Sequence, residues 1–210
     1  MYKAALLLRV EITYRGAKLV KISNVNFENL TWDDTDFLPE VYLSRYEEFA
    51  LSEGDIVLAL TRPIIKSLNN VKVARVAASD VPCLLNQRVG RFVIRDRDRI
   101  DPSYLIHLCY SQFFKKAIIR FSSESLQPNV SPKQIEELHV PVPPIERQRQ
   151  FASVAAKVTR LKRLAEVGSL NAENLFKSLQ LRAFKGELFI NGRSLVNNES
   201  ANVWQQTSHL

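Results

Sequence analysis

Ser131–Phe151 reads S-P-K-Q-I-E-E-L-H-V-P-V-P-P-I-E-R-Q-R-Q-F, and its punctuation divides the chain. Ser131 is an N-cap, Pro132 falls where a first helical residue needs no N–H donor, and Gln134 completes a capping box. The spacing predicts a helix of a turn or two. Val140-Pro141-Val142 then reads as a short edge or exit strand, because each proline removes a ladder donor. Pro143-Pro144 stops the globular part. Glu146 falls in the first turn of the helical pattern that follows, where a carboxylate suits the helix dipole. A compact mixed domain is expected before this hinge and an arm after it.

In the arm, Phe151, Val154, Val158, Leu161, Ala165, Gly168, Ala172, Leu175 and Leu179 alternate at spacings of three and four. That is a coiled-coil seam, narrow at its small residues and suited to close helix approach. Phe151, Val154, Val158, Leu161, Leu175 and Leu179 are its candidate helix-pairing residues. Taken as one helix up to Lys185-Gly186, about 40 residues would span roughly 60 Å. A break at Gly168-Ser169 would give two antiparallel helices instead. Either way the stripe calls for a partner helix. The last residues, 191–210, are polar and expected to fray.

Working back toward the N-terminus, Ser122–Asn129 is a polar loop. Asp101-Pro102 is a cap-plus-proline start for one buried helix ending near Arg120-Phe121. Its apolar side chains Leu105, Cys109, Phe113 and Ala117 recur every four residues. Ile56–Leu60 is a buried-strand run ended by Thr61-Arg62-Pro63. Lys18–Asn26 is a strand running into a loop, Thr31–Pro39 is acidic and turn-rich, and Glu40–Leu51 holds a short helix. Val71–Ala77 and Arg88–Arg95 alternate apolar and basic residues, as half-buried strands with a basic outer face would. Strands and helices without regular β-α alternation point to an α+β domain over 1–144, with a helical arm over 145–188 and a polar tail over 189–210.

The chain has 210 residues, 46% of them hydrophobic, a net charge of +7 and a pI near 9.5. That supports one good core and permits nucleic-acid binding. Residues 21–55 hold two basic and nine acidic side chains, residues 56–99 nine basic and three acidic, and residues from Ile145 onward ten basic and five acidic. The first two blocks together suggest one positively charged face. Cys83 and Cys109 lie in apolar company without ligand spacing, as cytosolic core thiols do. The apolar run near Met1 is too short for a signal peptide or membrane span, so a soluble cytoplasmic protein is expected.

Catalytic patterns are missing. Val142-Pro143-Pro144-Ile145 lacks the amide or carboxylate and the aromatic that flank a proline pair in amino-methylating enzymes. There is no glycine-rich nucleotide loop, and no Asp or Glu has a lysine two residues on. His107, His139 and His209 have no ligand spacing. No cofactor, metal or catalytic residue is assigned. Binding residues are easier to name. DNA readers combine Lys and Arg for phosphates with amides and hydroxyls that reach base edges. The loops offer Arg62, Lys66, Asn69, Asn70, Lys72, Arg88, Ser125, Gln127 and Asn129.

In order, G-D-I-V-L-A at 54–59, L-N-Q-R-V at 85–89, D-P-S-Y-L at 101–105, S-L-Q-P-N-V-S at 125–131, V-P-V-P-P-I-E-R-Q at 140–148 and R-A-F-K-G-E-L at 182–188 resemble half of a type I restriction-modification specificity subunit. The resemblance covers about residues 18–188. It implies a non-catalytic subunit whose recognition domain reads one half of a split site on double-stranded DNA. Its spacer helix would dock the methyltransferase subunit and, through that, the restriction subunit. A homodimer or pairing with a second half-subunit would complete the site. Two departures stand out: Met1–Gly16 lacks the usual Gly-Gly-Thr-Pro opening, and the loop at 61–66 lacks a glycine pair. They suggest a truncated copy and keep a second reading open, an interaction module that binds the methyltransferase or a sister subunit without reading DNA.

Overall fold

The computed structural model describes residues 12–66, 69–122, 129–187, 189–190 and 193–194. The fold is α+β, as expected. In chain order it comprises β1 (Ala17–Val20), β2 (Asp36–Leu38), α1 (Val41–Arg45), a 3-10 turn at Glu47–Phe49, β3 (Ala50–Leu51), β4 (Ile56–Ala59), β5 (Ile64–Ile65), β6 (Asn70–Val71), β7 (Val73–Arg75), β8 (Cys83–Leu85) and β9 (Val89–Phe92). The helices α2 (Pro102–Tyr110), α3 (Gln112–Ser122), α4 (Pro132–Glu136) and α5 (Ile145–Phe184) follow, then a small hairpin of β10 (Phe189–Ile190) and β11 (Arg193–Ser194). The chain forms two compact units that divide between Ser153 and Val154.

In the first unit, one sheet has the order β2-β1-β8-β3, with β1 and β8 parallel and the other pairs antiparallel. A second, antiparallel sheet has the order β7-β4-β9. Strand β4 explains its own sequence. Ile56 and Leu58 enter a core made with α2, α3 and α4, while Val57 and Ala59 enter the core of the other sheet. A strand covered on both faces reads as a continuous apolar run instead of alternating. Both cysteines are free and buried, and burial pushes the Cys83 thiol up to about 12.

The caps form as their residues dictate. The Asp101 carboxylate accepts from the Ser103 and Tyr104 N–H groups, with Pro102 behind it. Ser131 Oγ accepts from Gln134 N–H, and Gln134 Oε1 accepts from Ser131 N–H at 2.8 Å, closing the capping box. Gly186, at φ +70°, ends the long helix: its N–H donates to Ala183 and that of Glu187 to Arg182, a Schellman closure that relieves two terminal carbonyls.

Three expectations change, and one open alternative is settled. The helix expected from Pro102 to Phe121 breaks at Ser111, whose Oγ donates to the Leu108 carbonyl and accepts from Phe114 N–H. This local bonding offers the backbone an alternative to helix, and it leaves Phe113 exposed while Phe114 and Ile118 are buried. Val140–Val142 forms no strand, because Pro141 and Pro143 lack donors and no described strand pairs with it. The acidic stretch Thr31–Pro39 contains β2, held where Asp36 pairs with Lys21 at 3.0 Å. Lastly, α5 runs unbroken through Gly168; a Cβ there would meet nothing within 4 Å, so the glycine relieves no crowding.

At the start of α5 the one buried side chain is polar. Gln148 is fully buried: its amide donates to the Arg99 carbonyl (2.9 Å) and the Pro143 carbonyl (2.7 Å), and its oxygen accepts from Asp101 N–H (3.0 Å). The Tyr104 hydroxyl donates to the Pro141 carbonyl at 2.9 Å. Among the described residues no helix is long and apolar enough to cross a membrane.

Candidate nucleic-acid interface

The far end of β4 is where the polar loops meet. Ala59 N–H donates to the Lys72 carbonyl (3.0 Å), Leu60 N–H to the Arg88 carbonyl (2.9 Å), and Val130 N–H to the Leu60 carbonyl (2.8 Å). Thr61 bridges Asn129 in antiparallel register. Backbone bonds thus gather Arg62, Lys72, Arg88 and Asn129, which lie far apart in sequence. The loop expected from Arg62 to Lys72 contains a hairpin, with Ile64 opposite Val71 and Ile65 opposite Asn70. This hairpin carries Lys66 and Asn69 at its turn, where Asn69 has φ +49° and donates its N–H to the Lys66 carbonyl. Asn is the residue type that tolerates this left-handed conformation best after glycine.

Side-chain bonding sorts the cations. Lys18 donates to the Ser79 carbonyl and lies over the Trp32 ring. Lys21 bonds Asp34 and Asp36; burial opposes its charge, but those bonds outweigh burial and raise its pKa. Arg75 donates to Ser103 Oγ, and Arg91 is held by Asp55 at 3.2 Å and by the Ala50 and Glu48 carbonyls. Of the expected basic outer face, Arg75 and Arg91 are therefore taken up inside the domain, while Arg95 is exposed. By contrast, Arg62, Lys66 and Arg88 are exposed and have no side-chain partner among the described residues. Lys72 is half-buried, with the Ile22 carbonyl at 3.4 Å; burial and the nearby Arg62 charge lower its pKa.

Among the amides, Asn129 is exposed, and Asn70 uses its oxygen on Val71 N–H, leaving its NH2 available. Ser125 and Gln127 lie outside the described residues. Gln148 was not singled out by its sequence, because a polar residue in the first turns of a helix carries no periodic signal. The convergence on Leu60 and Thr61 was equally hidden, being made by backbone bonds between distant segments.

An apolar groove of about 520 Å3 is lined by Phe92, Val93, Leu105, Leu108, Cys109 and Val142 among others, and burial holds the Cys109 thiol protonated. His107 packs edge-on to Tyr110 and Phe151, and burial lowers its pKa. Among the described residues, no three of His, Cys, Asp and Glu come together as a metal site.

On α5, Phe151 packs at 6.0 Å from the Tyr104 ring and 5.5 Å from the His107 ring. Farther along, Val154, Val158, Leu161, Leu175 and Leu179 are exposed, Leu161 at 65%. At 3.6 residues per turn, Val167, Leu170 and Leu181, also exposed, fall on the opposite side of the helix from that seam.

A family model described as "Type I restriction modification DNA specificity domain" matches residues 18–173. The type I restriction enzyme MjaVIII specificity subunit of Methanocaldococcus jannaschii is 34% identical over 168 residues, covering 80% of this chain and 38% of its own length. The EcoAI specificity subunit of Escherichia coli is 34% identical over 138 residues, covering 66% of this chain and 23% of its own length. The chain thus spans well under half of these curated relatives. The crystal structure of the HsdS subunit from Thermoanaerobacter tengcongensis superposes with a TM-score of 0.54 at 25% identity, over 90% of this chain and 48% of that one. A chain from a structure of the type I R-M system shares the fold at TM-score 0.53 and 20% identity, over 94% of this chain and 51% of that one.

Proposed function

The chain belongs to the type I restriction-modification DNA specificity family, and from that premise we propose that it is a non-catalytic recognition subunit reading half of a split target on double-stranded DNA. In this reading residues 1–144 hold the DNA-facing surface and 145–188 form the spacer arm. One observation carries the DNA side: four separated segments deliver Arg62, Lys72, Arg88 and Asn129 to the end of β4, and the exposed cations there, Arg62 and Arg88, have no side-chain partner among the described residues. Lys66, Asn69 and Asn70 extend that surface along the hairpin. Cations free of internal partners are available to phosphates, and loop amides beside them to base edges.

Selection from a randomised duplex pool tests this. Enrichment of a fixed half-site motif is the expected result. A pool that stays random, while the chain still captures the methyltransferase subunit, would replace recognition with the interaction-module reading.

The arm serves assembly. Its exposed seam fits a second helix, from another copy or another half-subunit, and the opposite apolar group at Val167, Leu170 and Leu181 suits the methyltransferase subunit, through which the restriction subunit joins. Leu161→Asp puts a charge in the middle of the seam and should convert a dimer to a monomer at micromolar concentration, read as mass by light scattering. If the parent chain is already a clean monomer, alone and with the methyltransferase subunit, pairing is wrong.

A further inference from the structure

Arg62 and Lys72 are held together in a way that a general basic surface does not require. The Lys72 carbonyl accepts from Ala59 N–H at 3.0 Å, and its N–H donates to the Pro63 carbonyl at 2.6 Å. Residue 72 is thereby fixed to the chain on both sides of residue 62. Arg62 itself has φ +50°, a left-handed backbone that side chains with a Cβ adopt only at a cost. Its guanidinium is exposed and has no partner among the described residues.

Lys72 lies half-buried beneath this turn, and its ammonium contacts a neutral acceptor, the Ile22 carbonyl, at 3.4 Å. The charged group acting on it is Arg62, which repels it. Two other half-buried cations of these sheets meet carboxylates, Lys21 with Asp34 and Asp36 and Arg91 with Asp55. Partly buried charges are ordinarily paired, yet Lys72 has a neutral acceptor and a repelling arginine and no carboxylate partner among the described residues. We infer that Arg62 and Lys72 form a ready-made seat for a single backbone phosphodiester, one non-bridging oxygen facing each cation. This rests on the DNA reading of the same surface. A phosphodiester suits the pair because the guanidinium fork and the compact ammonium can each take one of its oxygens, and on the DNA reading a duplex supplies that group.

The seat has a proton signature. Lys72 binds its proton less tightly than a free lysine, and a phosphate beside it strengthens that binding. Above the lowered pKa of the free protein, DNA binding should therefore take up a proton, and affinity should fall as pH rises through that value. Calorimetry of the full chain with a short random duplex, in two alkaline buffers of different ionisation heat, measures the uptake. We expect uptake in the parent. K72M should abolish it and flatten the plot of log K against log salt by about 0.9, the value for one phosphate contact. K72R should restore the slope without the uptake, because arginine does not titrate there.

Inorganic phosphate serves as the separate arm. Competition between it and the duplex for the same proton uptake is expected; saturable phosphate binding that leaves duplex affinity untouched would overturn the phosphodiester assignment. An unchanged slope in K72M, while Arg88→Ala still flattens it, would overturn the seat and leave the interface standing. No duplex binding by the parent at low salt would instead remove the interface itself.

Discussion

Replacing Arg62 and Arg88 together by alanine is expected to weaken binding to random duplex DNA about 30-fold at physiological salt. Each phosphate contact contributes about 0.9 to the salt slope, which at about 0.15 M salt corresponds to a factor of roughly five. Two independent contacts multiply to the stated loss, near 2 kcal/mol. Both side chains are exposed and support nothing else among the described residues, so the double variant should melt like the parent. Fluorescence anisotropy across a salt series reads affinity and slope together. Arg91→Ala provides the contrast: its guanidinium already bonds Asp55 and the Ala50 and Glu48 carbonyls, so its loss should lower stability and spare the slope. A double variant with unaltered slope would remove this surface from the DNA side.

The second large effect is structural. Gln148→Leu keeps the side-chain volume but removes an amide that serves the Arg99 and Pro143 carbonyls and the Asp101 N–H. Stranding buried backbone groups costs about 1–3 kcal/mol each when no replacement is found. Because these groups are partly buried, a total of about 3 kcal/mol is expected, or roughly 10 °C in Tm for a chain of this size. Gln148→Glu should be no better, since a carboxylate cannot donate to the two carbonyls and brings a buried charge. Arg149→Ala, one position on, loses only an exposed pair with Asp98 at 3.4 Å and should shift Tm by a degree or so. Thermal melts followed by circular dichroism distinguish these outcomes; a Gln148→Leu variant melting with the parent would show that water replaces the amide at no cost.

Local chemistry made much of the fold legible. Caps at Asp101 and Ser131, the stop at Gly186 and the start of α5 each depend on residues within four positions, and each forms where the spacing places it. Elements decided by distant partners were harder to read. Strand β2 is three residues long and begins with an aspartate that Lys21 neutralises across the sheet. The break at Ser111 arises from one hydroxyl bonding its own backbone, inside an apolar pattern that continues past it. The candidate site follows the same rule. Residue types on loops single out Arg62, Lys66 and Arg88 as candidates, but the same chemistry at Arg75 and Arg91 is internal, and the location of Asp55 and Ser103 in space separates the two groups.

Strand β4 has no polar side chain and is covered on both faces, Ile56 and Leu58 by one core and Val57 and Ala59 by the other. Its four residues therefore belong to two separate packing problems at once, and neither core can relax without the other. The loops fastened to its end are bound by main-chain hydrogen bonds, which are indifferent to side-chain identity. Residues at 66, 88 and 129 can thus vary with little effect on the strand that presents them, and position 62 among residues that accept its left-handed backbone. Diversity and durability are assigned to different atoms, so a new binding preference need not be matched by a new core.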